Sequence, residues 1–286
     1  MLGHKLWQVL SQHFDTYATF RQSLDSQPAS KIYDPSRIIT GVSVQDFDSF
    51  TRAIANLRPA VVVNCIGIVK QDTAAKDPLI SITINALFPH RLAQLCRASG
   101  SRLIHISTDC VFTGRKGNYH ETDVSDAEDL YGRTKLLGEV SGDNCLTMRT
   151  SIIGRELAGA HGLLEWFLSQ QGKTVEGFKR AIFSGFTTLA LSEIIAHIIA
   201  EHRDLNGLWH VASQPISKFD LLSVIREIYG LNIEIRPNKT FACDRSLNGE
   251  RFRRAINYVP PSWPEMIERM RNDSTPYVEL RRTNVN

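Results

Sequence analysis

The chain reads as an α/β protein built on a doubly wound parallel sheet, and three observations predict this. Two short apolar runs, Ala60–Gly67 and Arg102–Asp109, lack the alternation of a one-sided strand and suit strands covered on both faces. Helical patterns separate such runs through about residue 150, the layout of strands joined by crossover helices. The second run breaks into Ser107, Thr108 and Asp109, polar residues placed where an open parallel sheet binds ligands, beyond its strands' carboxyl ends.

The run from Ala60 ends in Gly67, which lets a backbone approach a ligand closely. A helix follows through Ile82–Pro89. Pro89 has no N–H for the carbonyl of Asn85, so a kink and an unused carbonyl are expected there; the alternative is a tolerated kink with Asn85 at the surface. After the Arg102 strand, Ser125-Asp-Ala-Glu128 fits a capping box and predicts a helix with Tyr131 near its second turn. Tyr131 and Lys135, four apart, then share one face. A phenol ordinarily ionises near pH ~10; an ammonium beside it favours the phenolate and makes the group a usable acid, as carbonyl reduction requires. Alone, the pair also fits a solvated helix face, and Ser107-Thr108-Asp109 alone also fits a turn.

Past Thr150 the texture changes. Glycines at 154, 159, 162 and 172 punctuate amphipathic material around Trp166, then a helix from Leu189 to about His202 precedes a strand-like Leu208–Val211. This predicts a boundary near residue 150, between parts over 1–150 and 151–286. The polar tail after Met270 is expected to be loosely ordered.

Composition narrows the class. With 286 residues, 42% hydrophobic and 22% charged, the chain has the makeup of a globular protein with a sizeable core. A net charge of +3 gives no argument for nucleic acid or an anionic membrane. Five cysteines, odd in number and without paired metal spacing, predict free thiols in a reducing compartment. The apolar stretch Leu189–Ala200 is too short for a span and carries Glu193 and His197, so a cytoplasmic location is expected.

Together, Asn64-Cys-Ile-Gly67, Asn85, Ser107-Thr-Asp-Cys-Val-Phe-Thr-Gly114, Tyr131-Gly-Arg-Thr-Lys135 and Met148-Arg-Thr-Ser151 make the chain resemble the extended short-chain dehydrogenase/reductase superfamily. Within it, the chain resembles the dTDP-4-dehydrorhamnose reductase family. Ser184–Thr188, Gly207–Ala212 and Ser262–Met266 extend the likeness over nearly the whole length. The resemblance implies NAD(P)H-dependent reduction of a 4-keto nucleotide sugar in deoxysugar and polysaccharide biosynthesis, with 1–150 as the NAD(P)-binding Rossmann-type part and 151–286 as a mainly substrate-binding lobe whose segments return to the first part. It assigns Thr108, Tyr131, Lys135 and Asn85 to catalysis, Asn85 through a water-mediated relay. Cys65, Ile66, Gly67, Tyr131 and Lys135 would line the cofactor, with Ser43 and Val44 near adenine. Arg149–Ser151 would pass beside the nicotinamide. Asp109 and Thr108 would meet the sugar, and Arg180, Arg245, Arg251 and Arg254 are candidates for the diphosphate. Relatives usually carry an aromatic residue where this chain has Cys110. No metal is implied, and a homodimer is allowed.

Family members open with a strand and a three-glycine turn that holds the cofactor pyrophosphate. Here only Gly3, resembling the last of the three, is expected to remain, so the sheet should lack an interior strand and half of that site. A start assigned about ten residues downstream is the expected origin. Arg21, at the end of the strand that selects the cofactor, favours NADPH over NADH. The resemblance also admits a nucleotide-sugar epimerase or epimerase/reductase, and a non-catalytic regulatory subunit of the methionine adenosyltransferase type.

Overall fold

The computed structural model describes residues 1–23, 32–70 and 72–282. Helix α1 (Leu2–Leu10) is followed by β1 (Ala18–Thr19), β2 (Ile38–Ile39), α2 (Phe47–Leu57) and β3 (Val61–Asn64). Then come α3 (Pro78–Ser81), a π-helical stretch (Ile82–Leu87), α4 (Phe88–Ser99), β4 (Arg102–Ile106), α5 (Leu130–Leu137) and β5 (Cys145–Arg149). The central sheet has the order β3-β4-β5-β9, where β9 is Gly207–His210, and every pairing in it is parallel. Its last strand thus comes from the second half of the chain. Leu103, Ile104, Leu146 and Met148 are fully buried, which explains the apolar run of β4, whereas Val61–Val63 of β3 are only half-buried and that strand is not covered on both faces.

One face is covered by α1 and by α7 (Thr188–Glu201), through Leu2, Leu6, Leu191, Ile194 and Ile195. The other is covered by α2 and α4, where Phe50 and Phe88 meet with ring centroids 4.8 Å apart. The remaining elements are β6 (Ile152–Ile153), α6 (Leu163–Leu168), β7 (Thr174–Phe183), β8 (Phe186–Thr187), β10 (Ile216–Ser217), α8 (Lys218–Tyr229), β11 (Glu234–Asp244), α9 (Glu250–Ala255), α10 (Trp263–Arg271) and α11 (Tyr277–Arg282). They build a three-stranded sheet, β10-β7-β11, and β6 pairs with β8. No helix among the described residues is long and apolar enough to cross a membrane.

The expected gap in the sheet is present. β1 and β2 pair in parallel as a separate ribbon, and no ladder among the described residues joins it to β3. Between them lies a cavity of about 650 Å³, lined by residues such as Leu6, Ala18, Phe20, Val61 and Val63.

Two expectations fail. Residues 271–282, the described part of the segment after Met270, are not loosely ordered: they dock on α1, with Tyr277 and Leu280 buried and Lys5 in an enclosed ion pair with Asp273. His4 Nε2 also lies 2.9 Å from the Tyr277 hydroxyl. A polar tail folds here because its charges find buried partners. Lys5→Met strands the Asp273 carboxylate and should cost about 3 kcal/mol, read as a lower urea midpoint with an unchanged slope; an unaltered midpoint would remove this anchor.

The capping box also fails. Asp129 is the N-cap of α5 and accepts from the Gly132 N–H at 2.7 Å, so Tyr131 lies in the first turn. Asp126 instead takes the backbone N–H and hydroxyl of Thr113, and Glu128 pairs with Arg115. An aspartate one residue before the helix competes successfully as the cap.

Candidate active site

Tyr131 reaches the end of β4 because α5 comes unusually close to the turn that follows that strand. A Cβ on Gly132 would lie 2.3 Å from the Cys110 carbonyl oxygen and 2.8 Å from the Ala127 Cβ, so no larger residue fits. At its other end, a Cβ on Gly138 would lie 1.9 Å from the Asn85 carbonyl oxygen. Two glycines therefore seat α5 against both neighbours. Pro89, in the first turn of α4, shows how that second contact arises: the helix widens to a π turn over Ile82–Leu87, and the Asn85 carbonyl faces Gly138.

Asn85 is buried, which excludes a surface residue. Its Oδ1 accepts from the Ile68 N–H at 2.9 Å and its Nδ2 donates to the Ile68 carbonyl at 3.1 Å. The side chain thus pins the loop that carries Gly67. Asn64 secures that loop's start, with Oδ1 accepting from the Ile66 N–H at 3.0 Å. Its Nδ2 donates to His105 Nδ1 at 3.1 Å, and burial holds His105 neutral by lowering its pKa well below the usual range. Cys65, Ile66 and Gly67 stay exposed along the edge of the site.

Lys135 is buried, and its Nζ donates to the Ile106 carbonyl at 2.7 Å. Burial brings its pKa down to about 8, opposed by the attraction of Glu139 and Cys65. Tyr131 departs from expectation, because its pKa is raised and not lowered. Burial is the main cause, the charges of Cys110, Asp109 and Asp129 add to it, and the Thr108 side chain opposes it. The physical reason is that desolvation of the phenolate outweighs an ammonium already engaged by the Ile106 carbonyl. Thr108 and Asp109 are both buried beside the phenol; the Thr108 oxygen accepts from the Cys110 N–H at 3.1 Å. Burial raises the Asp109 pKa, against hydrogen bonding and the cations Arg245 and Lys218.

Beneath the site runs a buried polar network. Arg149 bonds Glu139 twice, each at 2.8 Å, and Ser107 donates to Glu139 at 2.7 Å. Arg149 also donates to Ser125 at 3.1 Å and lies 3.4 Å from His210 Nε2. Its guanidinium therefore faces this network, which ties the ends of α5, β4, β5 and β9 together.

The structure brings Thr108, Asp109, Tyr131, Lys135, Asn85 and Gly67 into one place. Gly3 lies at the start of α1, where a Cβ would be 4.0 Å from that of Cys65. Arg21 is exposed just past β1, and the Val42 N–H donates to the Phe20 carbonyl at 3.0 Å, which draws Ser43 and Val44 to the same end of the ribbon. The arginines separate. Arg251 stacks on Trp209, 3.7 Å from the ring centroid, and donates to the Leu208 carbonyl, so it supports β9 and is not beside Tyr131. Arg180 is exposed on β7, with no hydrogen bond or ion pair to the Tyr131 cluster among the described residues, and Arg254 pairs with Glu250. Arg245 does reach the cluster: its Nε donates to the Phe112 carbonyl at 2.8 Å and Nη1 lies 3.8 Å from the Cys110 Sγ. Sequence reasoning missed Lys218, whose signal was a lysine in the first turn after the cap of Ser217-Lys-Phe-Asp220.

A parallel sheet with helices on both faces, carrying a tyrosine, a lysine and a threonine at its carboxyl edge, is the architecture of the short-chain dehydrogenase/reductase class. Residues 1–275 match the RmlD substrate binding domain family, and the chain belongs to that family. The dTDP-4-dehydrorhamnose reductase of Streptomyces griseus is 39% identical over 99 residues, 34% of this chain and 33% of that protein, so the match spans a third of that relative. The Salmonella typhimurium protein of the same name is 26% identical over 242 residues, 76% of this chain and 80% of that one. A Sulfolobus tokodaii structure, a hypothetical dTDP-4-dehydrorhamnose reductase, superposes with a TM-score of 0.76 at 27% identity, over 92% of this chain and 94% of that one. The Bacillus anthracis enzyme in complex with NADP superposes at 0.72 with 22% identity, over 90% and 99%, a likeness of fold.

Proposed function

We propose that this protein reduces the ketone of a 4-keto hexose borne on a nucleoside diphosphate, as a dTDP-4-dehydrorhamnose reductase does. The carrying observation is that Thr108 and Asp109, just past β4, and Tyr131 and Lys135, on α5, lie at one edge of the sheet beside the Gly67 loop. The residues present suit a nicotinamide cofactor: Gly67 presents bare backbone beside Asn85 and Lys135, where a Cβ would sit at ordinary contact distance, 3.4 Å from Asn85 Oδ1 and 4.0 Å from Lys135 Nζ. Lys135 and the strip Cys65–Gly67 would hold the nicotinamide ribose, with Gly3 toward the pyrophosphate and Arg21, Ser43 and Val44 toward adenosine. Arg21 and the NADP complex of the Bacillus anthracis neighbour support NADPH, with NADH as the alternative. When bound, the reduced cofactor supplies hydride.

The chain's own residues supply the rest. Tyr131, kept protonated by burial, gives its proton to the ketone oxygen as that oxygen gains charge. Thr108 donates a hydrogen bond to the same oxygen, Lys135 places positive charge behind the phenol, and Asn85 positions the loop. In this reading the protein works in the cytoplasm on a nucleotide sugar, with no nucleic acid or membrane partner and a homodimer allowed; the small net charge of +3 supports it.

Following NADPH absorbance with a panel of 4-keto nucleotide sugars tests this. Reductive turnover with an alcohol product supports the reading, whereas epimerisation without net oxidation of NADPH, or binding without turnover, replaces it. The rate should fall as pH rises through about 8, because Lys135 loses its charge there while Tyr131 stays protonated. Lys135→Arg, charged throughout, should flatten that limb; a limb unmoved by the change would remove Lys135 as its origin.

A further inference from the structure

Lys218 opens α8 as the first residue after the cap Ser217, whose Oγ accepts from the Asp220 N–H at 3.0 Å and donates to the Asp220 carboxylate at 2.6 Å. A lysine here works against its own helix, because the amino end carries positive partial charge and cations are disfavoured there. The ammonium is also enclosed, although the residue as a whole is half-buried. It lies 4.2 Å from the Phe183 ring centroid, and among the described residues it makes no hydrogen bond and no ion pair within 4 Å. Three donors, a full charge and a helix end are thus directed at a place where the protein supplies no acceptor.

That place adjoins the Tyr131 cluster. Asp109 and the sulfurs of Cys110 and Cys243 lie within electrostatic reach of Lys218, and Asp109 and Cys110 lie within reach of Tyr131 and Arg245 as well. Burial brings the Lys218 pKa down to about 8 and raises that of Asp109, so an anion entering between Lys218 and Arg245 would favour the charged lysine. A cation stripped of water with an aromatic ring as its partner, and no carboxylate or carbonyl bonded to it among the described residues, is stabilised by an anionic ligand, and a compact ammonium suits phosphate oxygens as a point charge.

We infer that Lys218 and Arg245 together bind the sugar-linked phosphoryl group of the nucleotide-sugar substrate. The inference rests on the reductase reading for the identity of the ligand, but the site itself is legible without turnover. With the hexose ketone at Tyr131 and Thr108, its phosphoryl ester would reach the amino end of α8. Sequence reasoning offers Arg180 and Arg251 for this role, and the structure commits neither to the cluster.

The test is binding of dTDP by calorimetry to the purified full chain, with inorganic pyrophosphate as competitor, and steady-state kinetics on the keto sugar. Lys218→Met should weaken dTDP about tenfold or more and raise KM by a similar factor, with kcat changed little. Lys218→Arg should recover most of the loss. Matching melting temperatures keep the comparison within folded protein; if Lys218→Met fails to fold, Arg245→Met is read in the same assay. Affinity for dTDP unchanged in folded Lys218→Met, or a loss confined to kcat, overturns the site. Binding of dTDP through Lys218 with no reduction of any keto sugar sinks the reductase reading and leaves this site standing.

Discussion

Tyr131→Phe is expected to lower kcat about a hundredfold or more while leaving cofactor affinity nearly intact. The substitution removes one oxygen, and with it the proton that the ketone oxygen must receive; loss of a positioned acid typically costs two to four powers of ten. The ring remains, so the packing of α5 against the Cys110 carbonyl through Gly132 is undisturbed. Cofactor contacts assigned to Lys135 and Gly67 survive, because Lys135 is oriented by the Ile106 carbonyl and not by the phenol. Steady-state turnover of the keto sugar, set beside a fluorescence titration of NADPH, separates the two effects. A variant retaining full turnover would strip Tyr131 of the acid role, and a parallel loss of NADPH affinity would make it a structural residue.

Arg149→Ala should be the most damaging single change to stability among those considered, at about 3–5 kcal/mol. Glu139 would be left buried with its carboxylate unpaired, since its two bonds from Arg149 are lost and Ser107 alone remains as a donor. The guanidinium also lies 5.2 Å from the Phe112 ring centroid and close to His210, so a cavity opens where four elements end. Thermal unfolding is the readout. Pairing Arg149→Met with Glu139→Gln removes both charges and should recover much of the loss, because the penalty belongs to the stranded carboxylate more than to the missing attraction. If the double variant is as unstable as the single one, cavity formation and not charge is the cause.

Much of the site is readable along the chain because its chemistry sits in short segments. Ser107-Thr108-Asp109 falls where a buried strand ends, and the four-residue spacing of Tyr131 and Lys135 survives the shift of the helix start from Ser125 to Asp129. Asn85 is identified through Pro89, and the π turn gives that argument its form. The contacts that fix these groups join residues far apart in sequence: Gly138 with Asn85, Lys5 with Asp273, Asn64 with His105. No local periodicity encodes such pairs. The same limit explains the arginines, whose side chains read alike until packing sends Arg251 onto Trp209 and Arg245 to Cys110.

By itself the order of residues determined the class of fold, the strand ends that carry the hydroxyl and glycine groups, and the helix that presents a phenol and an amine on one side. These follow from hydrophobic pattern, backbone preference and helical spacing, all of which act over a few residues. Tertiary structure alone decided the protonation behaviour of Tyr131, the docking of the carboxyl-terminal segment, and the choice of Lys218 and Arg245 as the cations at the cluster. Each of these depends on how completely a charge is withdrawn from water and on what lies opposite it, and both are set only when distant segments close around the group.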